Sequence, residues 1–197
     1  MPEVLPFPSE KFHVIYADPP WFEQGGGKIV RGAQDKYPLM KTEDICALPV
    51  KDIAADNAHL YLWVTNNHLP DGLRVIEAWG FRYITMITWF KDKVGLGQYF
   101  RGQTEHVMFA VKGMLPYKID ENGKRCQGAT GFYDTRTEHS RKPETMRGMI
   151  ERVSVTPDRK KIELFARTQT EGWISIGNGV DGKDIRESLN DLQKMSC

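Results

Sequence analysis

The sequence has little cysteine and no long apolar segment, and both shortages narrow the class of protein. Its 197 residues include three cysteines, and Cys46, Cys126 and Cys197 are far apart, with no Cys-x-x-Cys pair. We therefore expect neither a disulfide framework nor a metal site, and we expect a reducing, cytoplasmic environment. No apolar run reaches the roughly 18 residues that a membrane span needs, and residues 1–10 lack a basic stretch followed by an apolar one. A membrane span and a secretory signal are therefore not predicted.

The sequence also lacks a strong excess of either charge, since its formal net charge is +1. The charges are nevertheless unevenly spread. Residues 1–81 contain 7 Lys/Arg and 11 Asp/Glu, whereas residues 82–125 and 136–161 each contain 8 and 4. This distribution excludes an all-round basic coat, but two basic segments are compatible either with a polyanion-binding face or with solvated loops.

Short apolar runs alternate with amphipathic segments along the chain, a pattern typical of an α/β sheet. We predict strands at 14–17, 59–64, 83–90, 105–111, 161–166 and 173–176. Helices are predicted at 71–79, where Gly80 would end the helix, at 143–153, and at about 184–192. Because no repeat, low-complexity tract or linker interrupts the chain, residues 1–197 are predicted to form a single domain.

Two glycine-rich basic segments are predicted as loops. Residues 22–36 contain three consecutive glycines, and residues 91–104 contain three separate glycines together with Tyr99, Phe100 and Arg101. Loops of this composition can close over a substrate, or they can be ordinary surface loops. Residues 112–130 are interpreted as a hairpin or an insertion.

The most informative residues are Asp18-Pro19-Pro20-Trp21, which directly follow the apolar run 14–17. They would stand at the carboxyl end of a strand, where open α/β sheets bind ligands. Asp18 can accept a hydrogen bond from an exocyclic amine, and the face of Trp21 can stack on a flipped base. The prolines fix their own φ, bias Asp18 towards an extended conformation and have no N–H. We therefore expect the local carbonyls to face outward as acceptors without competing donors.

The tetrapeptide resembles the catalytic motif of the amino-methyltransferases, which transfer a methyl group from S-adenosylmethionine to an exocyclic amine of adenine or cytosine. Further blocks at 60–64, 139–144, 149–153, 161–167 and 172–179 follow in the order found in one such family. Together, over about 12–182, they resemble the MT-A70 family of N6-adenine methyltransferases. The resemblance implies a Rossmann-like methyltransferase fold, with a mainly parallel central sheet flanked by helices and the catalytic block preceding the cofactor-binding blocks. No G-x-G-x-x-G lies upstream of Asp18, in agreement with that order.

The resemblance also assigns roles to individual residues. Asp18, Pro19, Pro20 and Trp21 form the catalytic block, in which the first two hold the target amine and the last two shape the base pocket. The residues expected to bind the cofactor, S-adenosylmethionine, are Asp18, Pro20, Lys142, Glu163, Phe165, Arg167 and Asn178. Among these, Lys142 would pair with the methionine carboxylate. Glu163 and Arg167 would hold the ribose with Phe165 beside them, and Asn178 would reach the adenine.

Local physical chemistry leaves alternatives to three of these roles. Lys142 at a helix start opposes the helix dipole, so it is either a ligand of a bound carboxylate or a solvated lysine. Glu163 in an apolar strand needs a partner, which either Arg167 or a ribose hydroxyl could supply. Asn178 between two glycines could be a ligand or a turn residue.

Further candidates concern the substrate. We expect it to contact Trp21, Tyr37, Tyr99, Arg101 and Glu105. Tyr37 would line the substrate entrance, and Glu105 would face the nucleic acid with His106 unless the two form a structural pair.

Two positions depart from the family pattern. Ala166 stands where many relatives have glycine, and Gly179 stands where relatives often have a polar side chain. Weaker cofactor binding could result, without loss of the chemistry.

These observations together predict a site-specific, S-adenosylmethionine-dependent DNA-methyltransferase that modifies the N6 amine of adenine. Asp18 and the Pro19 carbonyl would accept the amine hydrogens, so that the nitrogen lone pair faces the methyl group. Alignment of this kind can supply ~7–11 kcal/mol, and neither a metal nor a covalent intermediate is required. Asp rather than Ser at the first motif position favours adenine over cytosine. The target base must be unstacked from a duplex or lie in a single strand.

Two other functions stay open at this point: N6-adenine methylation of RNA, and a catalytically silent nucleic-acid-binding subunit of a methyltransferase complex. The intact tetrapeptide argues against the silent subunit. The compact chain resembles bacterial or phage DNA enzymes of the family, which implies a cytoplasmic protein acting on single- or double-stranded DNA, alone, as a homodimer or with a partner subunit. Candidate readers of the recognition sequence are residues 22–36, 91–104 and 112–125.

Overall fold

The computed structural model describes residues 11–22, 38–95, 97, 99–135, 142–155 and 160–195. These residues form one seven-stranded sheet. The strands are β1 (Phe12–Ala17), β2 (Ala54–Val64), β3 (Arg82–Lys91), β4 (Thr104–Lys112), β5 (Gly131–Asp134), β6 (Lys161–Leu164) and β7 (Ile174–Ile176). The helices are α1 (Thr42–Cys46), α2 (Val50–Ile53), α3 (Leu69–Ala78), α4 (Glu144–Val153) and α5 (Ile185–Met195), and a 3-10 turn spans Asn66–His68.

The order of the strands across the sheet is β5-β3-β4-β2-β1-β6-β7. Neighbouring strands are parallel except at β4, which is antiparallel to both β2 and β3. The carboxyl ends of the other six strands therefore meet at one edge of the sheet, and β4 brings its amino end to that same edge. We call this the functional edge.

Both faces of the sheet are covered, which explains why the inner strands are apolar throughout rather than alternating. On β1, Ile15 and Ala17 belong to a core shared with α1, α3 and α5. Val14 and Tyr16 point the other way, into a second core with Met146 and Ile150. Because those last two residues lie on α4, this helix covers the second face, which we call the α4 face.

The three predicted helices are present within a few residues of their predicted bounds. Pro70 fits the start of α3 because that position needs no N–H, and Gly80 follows its end in the left-handed conformation with φ +79°. Helix α4 begins one residue later than predicted, with Pro143 as its N-cap. Among the described residues, no helix has the length and apolar character required to cross a membrane.

The six predicted strands are also present, and the differences concern their ends and neighbours. The strand predicted at 161–166 stops at Leu164 because Phe165 has φ +64°, which ends extended pairing. Residues 112–130 contain a small hairpin in which Ile119 bridges Arg125. The Asp120 side chain closes its turn by accepting the N–H groups of Asn122 and Lys124. The sequence did not predict α1, α2 or β5.

Candidate active site

Four charged residues meet at the functional edge, although they are far apart in sequence. Asp18 directly follows β1, Lys91 ends β3, Glu105 is the second residue of β4, and Lys142 precedes α4. Glu105 reaches this edge only because β4 runs against its neighbours. We call these four residues the lysine chain.

The lysine chain alternates in charge. Lys142 Nζ lies 2.9 Å from Asp18 Oδ1 and 3.2 Å from Glu105 Oε2. The other Glu105 oxygen, Oε1, accepts from Lys91. All four side chains are between 15% and 20% exposed, so the pairs are shielded but in contact with solvent. Each ammonium also sits 5.1 Å from an indole centroid, Lys142 over Trp63 and Lys91 over Trp89.

The surroundings keep Lys142 and Glu105 charged at neutral pH. Burial disfavours the Lys142 ammonium, but Asp18 and Glu105 outweigh it and raise its pKa above the ordinary value. Burial likewise disfavours the Glu105 carboxylate, but Lys142 and Lys91 lower its pKa below the ordinary value. Asp18 therefore lies beside a permanent positive charge.

The catalytic block turns sharply after Asp18, and the turn engages both proline carbonyls. The N–H of Trp21 donates to Pro19 O at 2.9 Å, and the N–H of Met40 donates to Pro20 O at 2.8 Å. The expectation of carbonyls without competing donors is therefore wrong. A proline has no N–H of its own, but the chain folds back and a segment near residue 40 supplies one. Pro19 O keeps a second lone pair for a ligand.

Trp21, the last residue of the catalytic block, is buried rather than exposed at the surface. Its side chain is 7% exposed, its Nε1 donates to Trp63 O at 3.0 Å, and its ring stacks on His68 with centroids 5.3 Å apart. A hydrogen bond of 2.8 Å between His68 Nδ1 and Thr65 Oγ1 holds the imidazole. The face of Trp21 that was expected to be open for stacking on a base is thus covered by His68 in this structure. Trp21 instead packs inside the protein and holds the catalytic block against β2 through Trp63.

Glu163, on β6, pairs with Arg147 rather than with Arg167, which was one of the two partners that the sequence left open. Arg147 on α4 grips both of its carboxylate oxygens, with Nη2 2.8 Å from each, and also binds Glu144 through Nη1 at 2.6 Å. The guanidinium lies 5.6 Å from the ring centroid of Tyr16. We call Arg147 with its two glutamates the arginine fork. The proposed Glu163–Arg167 pair is replaced by Glu163–Arg147.

The remaining cofactor candidates gather at the ends of β6 and β7. Phe165 takes its positive φ directly after β6, a conformation that strains a non-glycine residue. A Cβ added at Gly177 would lie 2.6 Å from Ala166 N, and one at Gly179 would lie 2.7 Å from the backbone of Arg167. The loop after β7 therefore packs against the segment after β6, and Gly179 is required by this close approach. Arg167 and Asn178 are exposed beside it.

The structure separates the substrate candidates. Tyr99 is 93% exposed, and Arg101, also exposed, donates from Nε to Gly95 O at 2.9 Å. Glu105 belongs to the lysine chain, whereas His106 points to the opposite face and lies 2.7 Å from Asn66 Oδ1 and 3.0 Å from Thr88 Oγ1. Glu105 and His106 are therefore not a structural pair. Tyr37 lies outside the described residues.

Two contributors were missed by the sequence analysis. Lys91 was the first residue of a predicted loop, and Arg147 was one of many charges on a predicted helix. The spacing of Arg147 three residues after Glu144 was the available signal for a helical ion pair. Nothing local indicated that the same guanidinium would reach β6.

An open, mainly parallel sheet with Asp-Pro-Pro-Trp at the carboxyl end of an inner strand defines a Rossmann-like methyltransferase fold. The model of the MT-A70 family matches residues 12–179, and the chain belongs to this family. The predicted family and fold class are thereby confirmed.

Similar proteins fall into two groups. The Type II methyltransferase M.MunI of Mycoplasma sp is 32% identical over 196 residues, which cover 89% of this chain and 81% of that protein. The Medicago truncatula protein described as a putative N(6)-adenosine-methyltransferase MT-A70-like is 32% identical, and the human N(6)-adenosine-methyltransferase catalytic subunit METTL3 is 30% identical. Each match covers 87% of this chain, but only 27% and 29% of those longer proteins.

Proposed function

We propose that this protein transfers a methyl group from S-adenosylmethionine to the N6 amine of adenine in DNA. The single observation that carries the proposal is the position of Asp18. Its carboxylate lies at the carboxyl end of an inner strand, beside the Lys142 ammonium 2.9 Å away, with the cofactor candidates of β6 and β7 on one side. Ligands of open α/β sheets bind at such an edge.

The residues at this edge fit the chemical groups of the proposed cofactor. Lys142 is a compact cation that can pair with an amino-acid carboxylate. Glu163 accepts three hydrogen bonds from Arg147, and a carboxylate has about four acceptor positions, so one position can receive a ribose hydroxyl. Phe165, Arg167 and Asn178 would complete the pocket around the nucleoside. When bound, S-adenosylmethionine supplies an electrophilic methyl group on a sulfonium.

Asp18 would orient the amine. Lys142 binds Oδ1, and the other carboxylate oxygen can accept an N–H of the adenine amine. A second N–H can be directed to the free lone pair of Pro19 O. Held in this way, the nitrogen presents its own lone pair to the methyl carbon. The nitrogen exchanges one N–H bond for an N–CH₃ bond as the carbon–sulfur bond breaks, and the released proton passes to Asp18 or to solvent.

We infer DNA as the substrate because the match to the Type II methyltransferase M.MunI spans most of both chains, and no adenosine substrate is named for that protein. The N(6)-adenosine enzymes are matched over less than a third of their length. The same comparison supports a cytoplasmic location. RNA is the alternative that the assay below distinguishes.

The test is methyl transfer from labelled S-adenosylmethionine to duplex DNA, single-stranded DNA and RNA, followed by nucleoside analysis. We expect label in N6-methyladenine of DNA. Asp18→Ala should lower the rate on the order of 100- to 1,000-fold, because a preorganised acceptor at the reacting atom is lost. Asp56→Ala is the control and should leave the rate unchanged. Asp56 is an exposed carboxylate near the amino end of β2, away from the functional edge.

The outcomes separate the parts of the proposal. Label only in RNA would overturn the substrate and leave the chemistry. An Asp18→Ala variant as active as wild type would overturn the assignment of Asp18. If calorimetry shows that the cofactor binds but no polymer is methylated, the proposal that this chain is active without a partner subunit would be overturned.

A further inference from the structure

We propose that Tyr133 and Phe90 form a stacking site for an unpaired base next to the target adenine, so that the protein prefers single-stranded substrate. This inference rests on the proposed function and adds the strandedness of the nucleic acid. The occupant is a single strand of nucleic acid lying along the functional edge.

The two rings form a platform at the end of the sheet. Phe90 is directly opposite Tyr133 in the parallel pairing of β3 with β5. Their ring centroids are 5.0 Å apart and the planes differ by 25°, which is a stacked arrangement. Tyr133 is 83% exposed, so one face lies on Phe90 and the other is open to solvent. An aromatic face held in place by a second ring is preorganised for a further ring.

Two more aromatic side chains are exposed in the neighbouring loop. Tyr99 and Phe100, between β3 and β4, are 93% and 92% exposed. A single exposed aromatic residue needs no explanation, but three at one end of a sheet mark a surface with a partner. Aromatic rings bind nucleic-acid bases of any sequence because every base has a π face, and the bases of a duplex are not available for this.

The platform lies on the side of Asp18 away from the cofactor candidates. From β1 the strands run β2, β4, β3, β5 in one direction and β6, β7 in the other. Measured across the sheet at about 4.8 Å per strand, β3 and β5 lie roughly 14 and 19 Å from β1. A strand whose target base is held at Asp18 can therefore place a base a few nucleotides away on Tyr133, without meeting the cofactor pocket.

The charges around the platform suit a polyanion. Lys93 and Arg101 are exposed in the loop that follows β3. The same loop carries the exposed rings of Tyr99 and Phe100. Exposed aromatic rings and exposed basic side chains are thus combined beyond the end of β3, which is the pattern of a sequence-tolerant single-strand site. An apolar protein partner would not require this charge.

The experiment uses the full chain and a fluorescein-labelled 12-nucleotide single strand of DNA containing one adenine. We expect Tyr133→Ala to weaken binding, measured by anisotropy, roughly 5- to 100-fold, the range for loss of one base-stacking contact. Tyr133→Phe should restore binding, since the ring and not the hydroxyl carries the contact. Tyr83→Ala is the matched control, because Tyr83 is an exposed tyrosine at the opposite end of β3. Thermal unfolding of each variant verifies that it is folded.

Methyl transfer to the same single strand and to its duplex completes the test. We expect Tyr133→Ala to raise KM for the single strand and to change KM for the duplex little. Equal binding by Tyr133→Ala and wild type, or an equal loss in Tyr83→Ala, would overturn the stacking site even if methylation of DNA is observed. Conversely, if no methylation occurs, the proposed function fails, while a selective loss of binding in Tyr133→Ala still supports the platform.

Discussion

The lysine chain and the arginine fork are two ion-pair clusters near the functional edge, and they hold their carboxylates in different ways. Lys142 touches Asp18 and Glu105 through one atom, which contacts an oxygen of each. Arg147 clamps both oxygens of Glu163 through a planar group. An ammonium is a point charge on a flexible stem, whereas a guanidinium fixes the orientation of its partner.

The difference indicates a division of labour. A point contact can be exchanged for a contact to the carboxylate of a ligand without a change of backbone, so the lysine chain suits residues that meet substrate and cofactor. A two-point contact fixes α4 to β6 and orients Glu163. The carboxylate of Asp18, which we propose orients the amine, therefore has the adaptable partner, and Glu163 on β6 has the rigid one.

The largest effect on stability should come from breaking the arginine fork. Arg147→Met leaves Glu163 in a shielded site without its cation, which costs about 3–5 kcal/mol of unfolding free energy. Urea denaturation measures this loss. Arg74→Met is the control, because Arg74 forms an exposed pair with Glu43 and should cost no more than about 1 kcal/mol. Equal losses in the two variants would show that the fork does not hold α4 to β6.

Breaking the lysine chain should cost less stability and more function. Lys142→Met removes one cation from Asp18 and Glu105, but Lys91 still neutralises Glu105, so we expect a loss of about 1–3 kcal/mol. Calorimetric affinity for S-adenosylmethionine should fall by about 10- to 100-fold, the value of one charged hydrogen bond. Lys183→Met, which breaks an exposed pair with Asp191, should leave this affinity unaltered. An unaltered affinity in Lys142→Met would assign that lysine to structure alone.

The smallest expected effect is a difference between Glu105 and Glu163 in how their protonation changes stability with pH. Glu105 lies between two ammonium groups, which lower its pKa below the ordinary 4.5 despite burial. Burial raises the pKa of Glu163 above that value; the Asp18 and Glu144 carboxylates add to the rise, and Arg147 opposes it. Below pH 4.5, the Glu105 carboxyl therefore binds more protons in the unfolded chain than in the folded chain. Above pH 4.5, the Glu163 carboxyl binds fewer protons in the unfolded chain than in the folded chain.

The stability from Glu105 is thus complete above pH 4.5 and is lost as the pH falls through its lowered pKa. The stability from Glu163 is complete below pH 4.5 and is lost as the pH rises through its raised pKa. Urea denaturation as a function of pH should show that Glu105→Gln makes the slope of stability against pH less positive below pH 4.5. Glu163→Gln should make that slope more positive above pH 4.5. Each change should be about 1.4 kcal/mol per unit of pKa shift. Slopes that change in the same direction would contradict this contrast.

The sequence was sufficient to predict the positions of most elements. Apolar runs predicted β1, β2, β3, β4, β6 and β7, and the inner strands β1, β2 and β6 have such runs because they are covered on both faces. Strand β5 was missed because it begins with glycine, has four residues and lies at the edge of the sheet, where no continuous apolar run is required. The family was predicted from several motifs in a fixed order.

The partners of the charged side chains could not be predicted in the same way. Lys142 meets Asp18 across 124 positions of sequence, and this contact depends on the placement of the segment before α4 against the end of β1. Glu105 joins them because β4 is antiparallel, and an apolar run does not reveal the direction of its strand. Apolar pattern determines which residues are buried, whereas ion pairs depend on how the buried elements are assembled.

The reversal of β4 has a further consequence for how such a protein can diversify. Strands β3 and β4 form an antiparallel hairpin, and the strand ends that its tip connects, Lys91 and Thr104, lie at the functional edge. A hairpin tip can gain or lose residues without moving any strand of the sheet, so Asp18 and its neighbours stay in place while the tip changes. The contacts that position Asp18 and the connection between β3 and β4 are therefore encoded separately: the first depend on distant segments, and the second is a short local stretch that can be exchanged as a unit.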